Sequence, residues 1–249
     1  MNLPLFFEAK NTNKLFGLEK DFNFLINLHK QNKLPKISLF SGRKGSGKST
    51  LINHFLFSIF DIQNYDLKKR SLSITSNFFN QFKNDIFSNI IYINGSNFKS
   101  VKIDDIRNLK KEILNSTIIN KERFIILDDV ELFNKNSLNA MLKIIEEPNR
   151  RNYFILINNQ TIPLLDTIKS RALEFKIILN ENDRLNIINE LIDFFKIETY
   201  LKPDQIRLSP GNYLKFNYIL REYKIQISEN LKKNLSQLLE LYKKNKNMI

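Results

Sequence analysis

The chain has 249 residues, of which 42% are hydrophobic and 26% charged, enough apolar material for one large domain or two small ones. It has no cysteine and only 2 histidines, which excludes disulfide scaffolds, cysteine-ligated zinc and thiol nucleophiles. No apolar run approaches the roughly 18 residues of a membrane span, and the segment Met1–Glu8 has no basic leader. We therefore expect a cytoplasmic protein with no membrane partner.

The charge of the chain is strongly positive, at +13 from 39 Lys and Arg against 26 Asp and Glu. Such an excess suggests a polyanionic partner, because cations that neutralise phosphates release counterions when they bind. The chain is also crowded with Asn, Lys, Ile and Phe, a preference typical of an AT-rich coding sequence. Composition therefore leaves two interpretations open, a nucleic-acid partner and a compositional bias.

Predicted strands and helices alternate over the first part of the chain. Short apolar runs predict five strands, at 36–40, 90–93, 124–127, 153–157 and 173–177. Apolar residues at helical spacing predict helices at 18–34, 48–60, 103–114, 136–147 and 163–169. Residues 61–88 are predicted as loop and irregular helix. This alternation is typical of an α/β fold, a parallel sheet flanked by helices.

The pattern changes after about residue 179, where the predicted strands cease. Three amphipathic helices are predicted beyond that point, at 183–196, 212–223 and 228–244. We therefore predict an α/β domain over 1–178, a small all-helical domain over 179–226 and a helical C-terminal segment over 227–249.

Glycine is scarce in this chain, with 6 residues, yet Gly42, Gly45 and Gly47 lie in one short stretch. The stretch from Gly42 to Ser49 reads GRKGSGKS and fits the P-loop pattern G-x-x-x-x-G-K-[ST]. In a P-loop, backbone N–H groups form a nest for phosphates at the start of a helix. A glycine turn with an incidental lysine is the alternative. We predict an ATP-binding segment made of Gly42, Arg43, Lys44, Gly45, Ser46, Gly47, Lys48, Ser49 and Thr50, in which Lys48 reaches the β- and γ-phosphates.

Two acidic residues follow the predicted strand 124–127. A P-loop needs a second Mg²⁺ anchor on a neighbouring strand, so Asp128 is predicted to hold Mg²⁺ together with Ser49. Asp129 lies where hydrolysing enzymes often carry a Glu that polarises water, and its carboxylate would fall about 1.5 Å short. This difference predicts weak or absent hydrolysis. An ordinary turn at the end of a strand is the alternative for both residues.

Further segments occur in a recognisable order. They are the lead-in from Leu34-Pro35 to Ser41-Gly42, Ile103–Arg107 (IDDIR), Asn139–Pro148 (NAMLKIIEEP) and Thr167–Ala172 (TIKSRA). Together they resemble the motifs of DNA polymerase clamp-loader ATPases and, within that family, the bacterial DNA polymerase III delta-prime type. The resemblance implies an AAA+ module, in which a RecA-like P-loop α/β domain is followed by a helical lid.

The same resemblance implies roles and partners. Asn159 matches the sensor-1 residue, and Arg171 matches the arginine finger that reaches the nucleotide site of an adjacent subunit. Arg107, Lys110 and Lys111 lie on a helix that resembles the DNA-facing element, with a solvated helix face as the alternative. The implied partners are clamp-loader subunits of the gamma/tau and delta types, a sliding clamp and primer-template DNA.

The chain departs from the family pattern in three places. Ser209-Pro210-Gly211-Asn212 resembles the delta-prime lid and lacks the arginine of motor subunits. The absence of cysteine removes the family's zinc knuckle, so we expect no zinc. Only a short segment follows the predicted lid, where relatives carry a collar domain.

Asp129 in place of Glu and the missing lid arginine together favour a delta-prime-like subunit. We expect such a subunit to bind ATP weakly or without efficient hydrolysis and to complete the nucleotide site of its neighbour. The alternatives are a gamma/tau-type motor ATPase and another nucleic-acid-linked P-loop ATPase. Whether the chain is itself an enzyme stays open at this point.

Overall fold

The computed structural model describes residues 4–95, 122–146 and 151–223, with a few single positions after 223. The chain divides into two compact units, Met1–Asn180 and Glu181–Ile249. The predicted helix 103–114, with Arg107, Lys110 and Lys111, lies outside the described residues, as does most of the predicted helix 228–244.

A parallel sheet forms the centre of the first unit. The strands of the described part of the chain are β1 Ile37–Ser41, β2 Tyr65–Asp66, β3 Ser71–Leu72, β4 Ile90–Asn94, β5 Arg123–Asp128, β6 Asn152–Asn158 and β7 Leu173–Lys176. Five of them pair in the order β4-β5-β6-β1-β7, and every pairing is parallel. The five predicted strands thus match the observed ones to within about two residues.

Helices cover both faces of this sheet. Over the described residues of the first unit the α-helices are α1 Glu19–Lys30, α2 Lys48–Phe60, α3 Asn77–Lys83, α4 Lys135–Glu146 and α5 Asp166–Lys169. Side chains alternate along a strand, so Phe124 and Ile126 of β5 join one buried cluster with α1, α2 and α3. Ile125 and Leu127 of the same strand join the other cluster, with α4 and α5.

The segment 61–88 is more regular than the sequence predicts. It contains the antiparallel hairpin of β2 and β3, followed by α3. Helix α3 begins after Ser76, whose Oγ accepts a hydrogen bond from the N–H of Phe79 at 3.1 Å. The ring of Phe82 in α3 lies 4.9 Å from the ring of Phe57 in α2. Tertiary packing of phenylalanines, rather than local periodicity, therefore stabilises this short helix.

The second unit is helical over its described residues, with α6 Glu181–Phe195 and α7 Pro210–Glu222. The buried Arg184 of α6 donates hydrogen bonds to the carbonyls of Pro203, Ile206 and Leu208, which lie between the two helices. These bonds fasten the connecting segment to α6. Among the described residues of both units, no helix has the length and apolarity needed to cross a membrane.

Candidate nucleotide-binding site

The P-loop connects β1 to α2 at the carboxyl edge of the sheet. Glycine is required there for two different reasons. Gly45 and Gly47 have φ angles of 82° and 93°, in the left-handed region that other residues rarely adopt. Gly42 is required by a close approach, because a β-carbon there would lie 2.5 Å from the carbonyl oxygen of Ile177. The glycine cluster of the sequence therefore reflects the backbone geometry of the loop.

Lys48, the first residue of α2, points back into the loop. Its Nζ donates to the carbonyl oxygens of Gly42 at 2.8 Å and Arg43 at 2.9 Å, and it lies 3.4 Å from Oγ of Ser46. The residue is 2% exposed, and burial lowers the pKa of Lys48 to about 8 although Asp128, Glu131 and Asp129 oppose this shift. The structure thus holds a desolvated ammonium group at the centre of the loop, which is suited to an incoming phosphate.

The other side chains of the loop differ in exposure. Arg43 and Lys44 are exposed, Ser46 is buried, and Ser49 and Thr50 are partly buried in the first turn of α2. Both of these first-turn residues therefore lie at the positive end of the helix.

Asp128, the last residue of β5, lies directly beside α2. The hydroxyl of Ser49 donates to Oδ2 of Asp128 at 2.9 Å. The phenol of Tyr92, on the neighbouring strand β4, donates to the same oxygen. The backbone N–H of Asp129 donates to the other oxygen, Oδ1, at 2.8 Å. The predicted pair of Ser49 and Asp128 therefore meets in space, although 79 positions separate the two residues.

Asp129 follows in a left-handed backbone conformation, with φ of 50°. Its carboxylate is buried and lies 3.1 Å from Nζ of Lys44. The side-chain amide of Asn159, just after β6, donates to Oδ1 of Asp129 at 2.7 Å and lies 3.4 Å from Asp128. The structure thus brings the sequence-predicted residues Asp129 and Asn159 together, and adds Lys44 as a partner of the carboxylate.

Glu131 is a site residue that the sequence reasoning missed. It is 3% exposed, and its carboxylate accepts hydrogen bonds from the backbone N–H groups of Asn159 and Thr161 and from the Thr161 hydroxyl. These bonds fix the loop that carries Asn159. The sequence does contain a signal for Glu131, because this acidic residue lies between the apolar Val130 and Leu132. A carboxylate buried among apolar neighbours needs hydrogen-bond partners.

Arg171 follows the short helix α5. Its side chain is exposed, and Nη1 donates to the carbonyl oxygen of Thr167 at 3.1 Å, within its own turn after α5. The predicted DNA-facing residues Arg107, Lys110 and Lys111 lie outside the described residues, so the structure does not place them.

The residues present fit a Mg²⁺ ion accompanied by phosphates. Among the described residues no group of three or more His, Cys, Asp and Glu side chains is placed to hold a metal. Mg²⁺ does not need such a group, because it keeps several waters and binds one or two protein oxygens together with substrate phosphates. Ser49 and Asp128, with oxygens 2.9 Å apart beside the P-loop, supply that kind of donor set.

Comparison with known proteins identifies the family of this chain. Residues 17–180, well over half of the chain, match the family described as DNA polymerase III, delta subunit. The chain belongs to this family. The match covers the P-loop, Asp128, Asp129, Asn159 and Arg171, so the predicted clamp-loader AAA+ family is confirmed.

Individual relatives carry the names of two kinds of subunit. The chain is 26% identical over 181 residues to DNA polymerase III subunit gamma of Buchnera aphidicola subsp. Schizaphis graminum, an alignment that covers 72% of this chain and 48% of the relative. It is 33% identical over 76 residues to subunit delta' of Pseudomonas aeruginosa, which covers 30% of this chain and 23% of the relative. The aligned part of the chain thus spans about half of the first relative, and less of the second.

Solved structures show the fold. Thermotoga maritima RuvB, a Holliday junction branch migration motor, has a TM-score of 0.53 at 15% identity, covering 94% of this chain and 73% of RuvB. Domain III of Thermotoga maritima DnaA has a TM-score of 0.50 at 12% identity, covering 96% of this chain and 98% of that domain. The predicted AAA+ α/β fold is confirmed, and AAA+ proteins in general bind nucleotide with Mg²⁺.

Proposed function

We propose that this family member acts as a delta-prime-like subunit of a DNA polymerase III clamp loader. It binds ATP with Mg²⁺ through the P-loop and hydrolyses it slowly. It offers Arg171 to the nucleotide site of a neighbouring gamma/tau-type subunit. In this assignment residues 1–178 are the AAA+ α/β domain, 179–226 the lid and 227–249 a helical C-terminal segment.

The environment of Asp129 carries the proposal. A carboxylate that polarises water needs a free oxygen facing the reacting phosphate. Here the Asp129 carboxylate is buried, is shorter than Glu by one methylene, and is bound by Lys44 at 3.1 Å and Asn159 at 2.7 Å. The amide and the ammonium each take acceptor positions on the Asp129 carboxylate, which leaves fewer of them for a water molecule. This arrangement supports nucleotide binding with little turnover.

The position of Arg171 supports the second half of the proposal. An arginine finger must reach outward, because it stabilises charge on phosphates held by another subunit. Arg171 is exposed, and its Nη1 donates hydrogen bonds to Thr167 and Ser170 of the same turn. An exposed arginine at the end of a short helix suits that role.

The proposed partners follow from the same assignment. They are gamma/tau- and delta-type subunits, the sliding clamp and primer-template DNA, in a cytoplasmic hetero-oligomer. The net charge of +13 suits a DNA partner contacted through phosphates without sequence preference.

A gamma-type motor subunit is the second candidate, and one observation favours it. The alignment to the gamma subunit of Buchnera covers 72% of this chain, whereas that to the Pseudomonas delta' subunit covers 30%. A motor would also need an intact P-loop and the Ser49–Asp128 pair, which this chain has.

Co-purification and turnover separate the two candidates. The full chain is mixed with gamma/tau-type, delta-type and clamp subunits, with and without ATP, and the complexes are resolved by size-exclusion chromatography. We expect the chain to join the complex and, by itself, to hydrolyse ATP at a rate near background. Robust DNA-stimulated hydrolysis by the isolated chain, lost in Lys48→Ala, would instead identify a motor. Failure to join any clamp-loader assembly would overturn both candidates.

A further inference from the structure

Tyr92 brings a phenol group into the candidate site from the edge of the described sheet. It lies on β4, opposite Ile126 of β5 in the parallel register. Its hydroxyl donates a hydrogen bond to Oδ2 of Asp128, the same oxygen that accepts from the Ser49 hydroxyl at 2.9 Å. The P-loop pattern and the acidic pair assign no role to a residue on this strand.

Both carboxylate oxygens of Asp128 accept hydrogen bonds. An ionised carboxylate has about four acceptor positions, two on each oxygen. Oδ2 accepts from Ser49 and Tyr92, and Oδ1 accepts from the N–H of Asp129 at 2.8 Å with the amide of Asn159 at 3.4 Å. Three of these donors are the hydroxyl of Ser49 in α2, the backbone N–H of Asp129 and the side-chain amide of Asn159, the predicted sensor-1 residue. Tyr92 is the additional donor that β4 contributes.

The ring of Tyr92 is held on its other side as well. The Nζ atom of Lys10 lies 4.6 Å from the ring centroid, and the same ammonium pairs with Asp85 at 2.5 Å. A phenol is protonated at neutral pH, so toward the carboxylate of Asp128 it acts as the donor. The hydrogen bond to Asp128 and the contact with Lys10 hold this side chain at its two ends.

We infer that Tyr92 is a positioning residue of the Mg²⁺–nucleotide site, because its hydroxyl holds the carboxylate of Asp128 in the orientation that faces Ser49. This inference rests on the proposed nucleotide binding. A serine hydroxyl that ligates Mg²⁺ through its lone pair can still donate its proton to a carboxylate, so the Ser49–Asp128 bond is compatible with the bound ion. Tyr92 then strengthens the binding of Mg²⁺–ATP and leaves the binding of Mg²⁺-free ATP unchanged.

Tyr92→Phe in the full chain tests this inference, since it removes the hydroxyl and keeps the ring. The dissociation constant of a fluorescent ATP analogue is measured in excess Mg²⁺ and in EDTA, and the ratio of the two is the Mg²⁺-dependent gain in affinity. Partners that orient a metal ligand typically contribute 10–100-fold to metal affinity. We expect Tyr92→Phe to lower the gain about tenfold and to leave the EDTA value within about twofold of wild type.

Tyr65→Phe is the matched control. Tyr65 is a buried tyrosine, whereas Tyr92 is partly buried, and the Tyr65 hydroxyl lies 3.0 Å from Nδ1 of His54 in α2. We expect this variant to keep the full Mg²⁺-dependent gain. In a Ser49→Ala background, Tyr92→Phe should not lower the Mg²⁺-dependent gain further, because the Ser49 hydroxyl that Asp128 faces has been removed. Mn²⁺ binding followed by electron paramagnetic resonance gives a second readout that needs no turnover.

Three results would overturn the inference. They are an unchanged gain in Tyr92→Phe, an equal loss of affinity in Mg²⁺ and in EDTA, and a wild-type chain whose nucleotide affinity does not respond to Mg²⁺. Should Tyr92→Phe fail to fold, as judged by its melting temperature, Ser49→Ala alone still tests whether the hydroxyl–carboxylate pair sets the gain. Co-purification with clamp-loader subunits without nucleotide is independent of these outcomes, so it shows separately whether the proposed function fails.

Discussion

Lys44 and Asp129 form an ion pair that joins the P-loop to the end of β5, with Nζ 3.1 Å from Oδ2. The side chain of Lys44 is 47% exposed and that of Asp129 is 4% exposed, so the carboxylate is desolvated and its partner is not. Removing one partner of a buried charge is costly, because the remaining charge loses its compensation. The pair therefore keeps Asp129 bound to the loop in the absence of other ligands, which bears directly on whether this site hydrolyses ATP.

Lengthening the carboxylate at position 129 and removing its partner Lys44 should raise the rate of ATP hydrolysis. Asp129→Glu extends the carboxylate by one methylene, and Lys44→Ala frees its oxygens. We expect the double variant to hydrolyse ATP at least about tenfold faster than the wild-type chain, since a positioned base typically contributes 10²–10⁴-fold. The measurement is single-turnover hydrolysis by the purified chain. Asp129→Asn with Lys44→Ala is the control, and equal rates in both double variants would contradict the expectation.

Lys48→Ala should weaken nucleotide binding. The variant removes the buried ammonium group at the centre of the loop, and the carbonyl oxygens of Gly42 and Arg43 lose their donor. We expect the affinity for ATP to fall more than about tenfold, because a hydrogen-bonded charge facing phosphate is worth about 1.5–3 kcal/mol. Equilibrium titration with a fluorescent analogue measures this. Lys69→Ala, at an exposed position between β2 and β3, should bind ATP as wild type does; a similar loss in both variants would show that the effect is not specific to the P-loop lysine.

Arg171→Ala should leave this chain folded and slow ATP hydrolysis by the neighbouring subunit. Because the side chain is exposed, we expect an unchanged melting temperature for the isolated subunit. In a reconstituted clamp loader, ATP hydrolysis should fall at least about tenfold, in line with the large contributions of arginine fingers. Lys169→Ala provides the comparison, since Lys169 lies on the same short helix and pairs only with Asp166 in its own turn at 3.1 Å among the described contacts. Equal rates for the two variants would remove Arg171 from the proposed role.

His54 should make the stability of the chain sensitive to mild acid. Burial lowers the pKa of His54 to about 3, while an unfolded chain has the ordinary value near 6.5. Between these two values the unfolded state binds a proton that the folded state does not, so the free energy of unfolding falls as the pH falls through this window. The stabilisation is complete above about pH 6.5 and is lost progressively toward pH 3.

Urea unfolding at a series of pH values measures this effect. Below about pH 6 we expect the wild-type free energy of unfolding to fall about 1.4 kcal/mol per pH unit more steeply than that of His54→Gln. A His54→Gln slope identical to wild type would show that this histidine is not the group responsible.

Local patterns in the sequence predicted most of the first unit. The strand at 124–127 is a run of buried apolar residues, and α2 begins and ends where its periodicity predicts. The hairpin and α3 within 61–88 escaped prediction because they depend on phenylalanines of other elements. Those contacts have no period within a short segment, so local propensity does not reveal them.

Spacing along the chain was enough to predict the fold class, the P-loop with its three glycines and the acidic pair at the end of β5, because each of these depends on residues adjacent in the chain. The contacts among the site residues could not be predicted in this way. Lys44 contacts Asp129 across 85 positions, Tyr92 contacts Asp128 across 36, and Glu131 accepts from the backbone of Asn159 across 28. Hydrogen bonds and ion pairs act between atoms within about 3 Å, and only the folded sheet brings residues so distant in sequence that close.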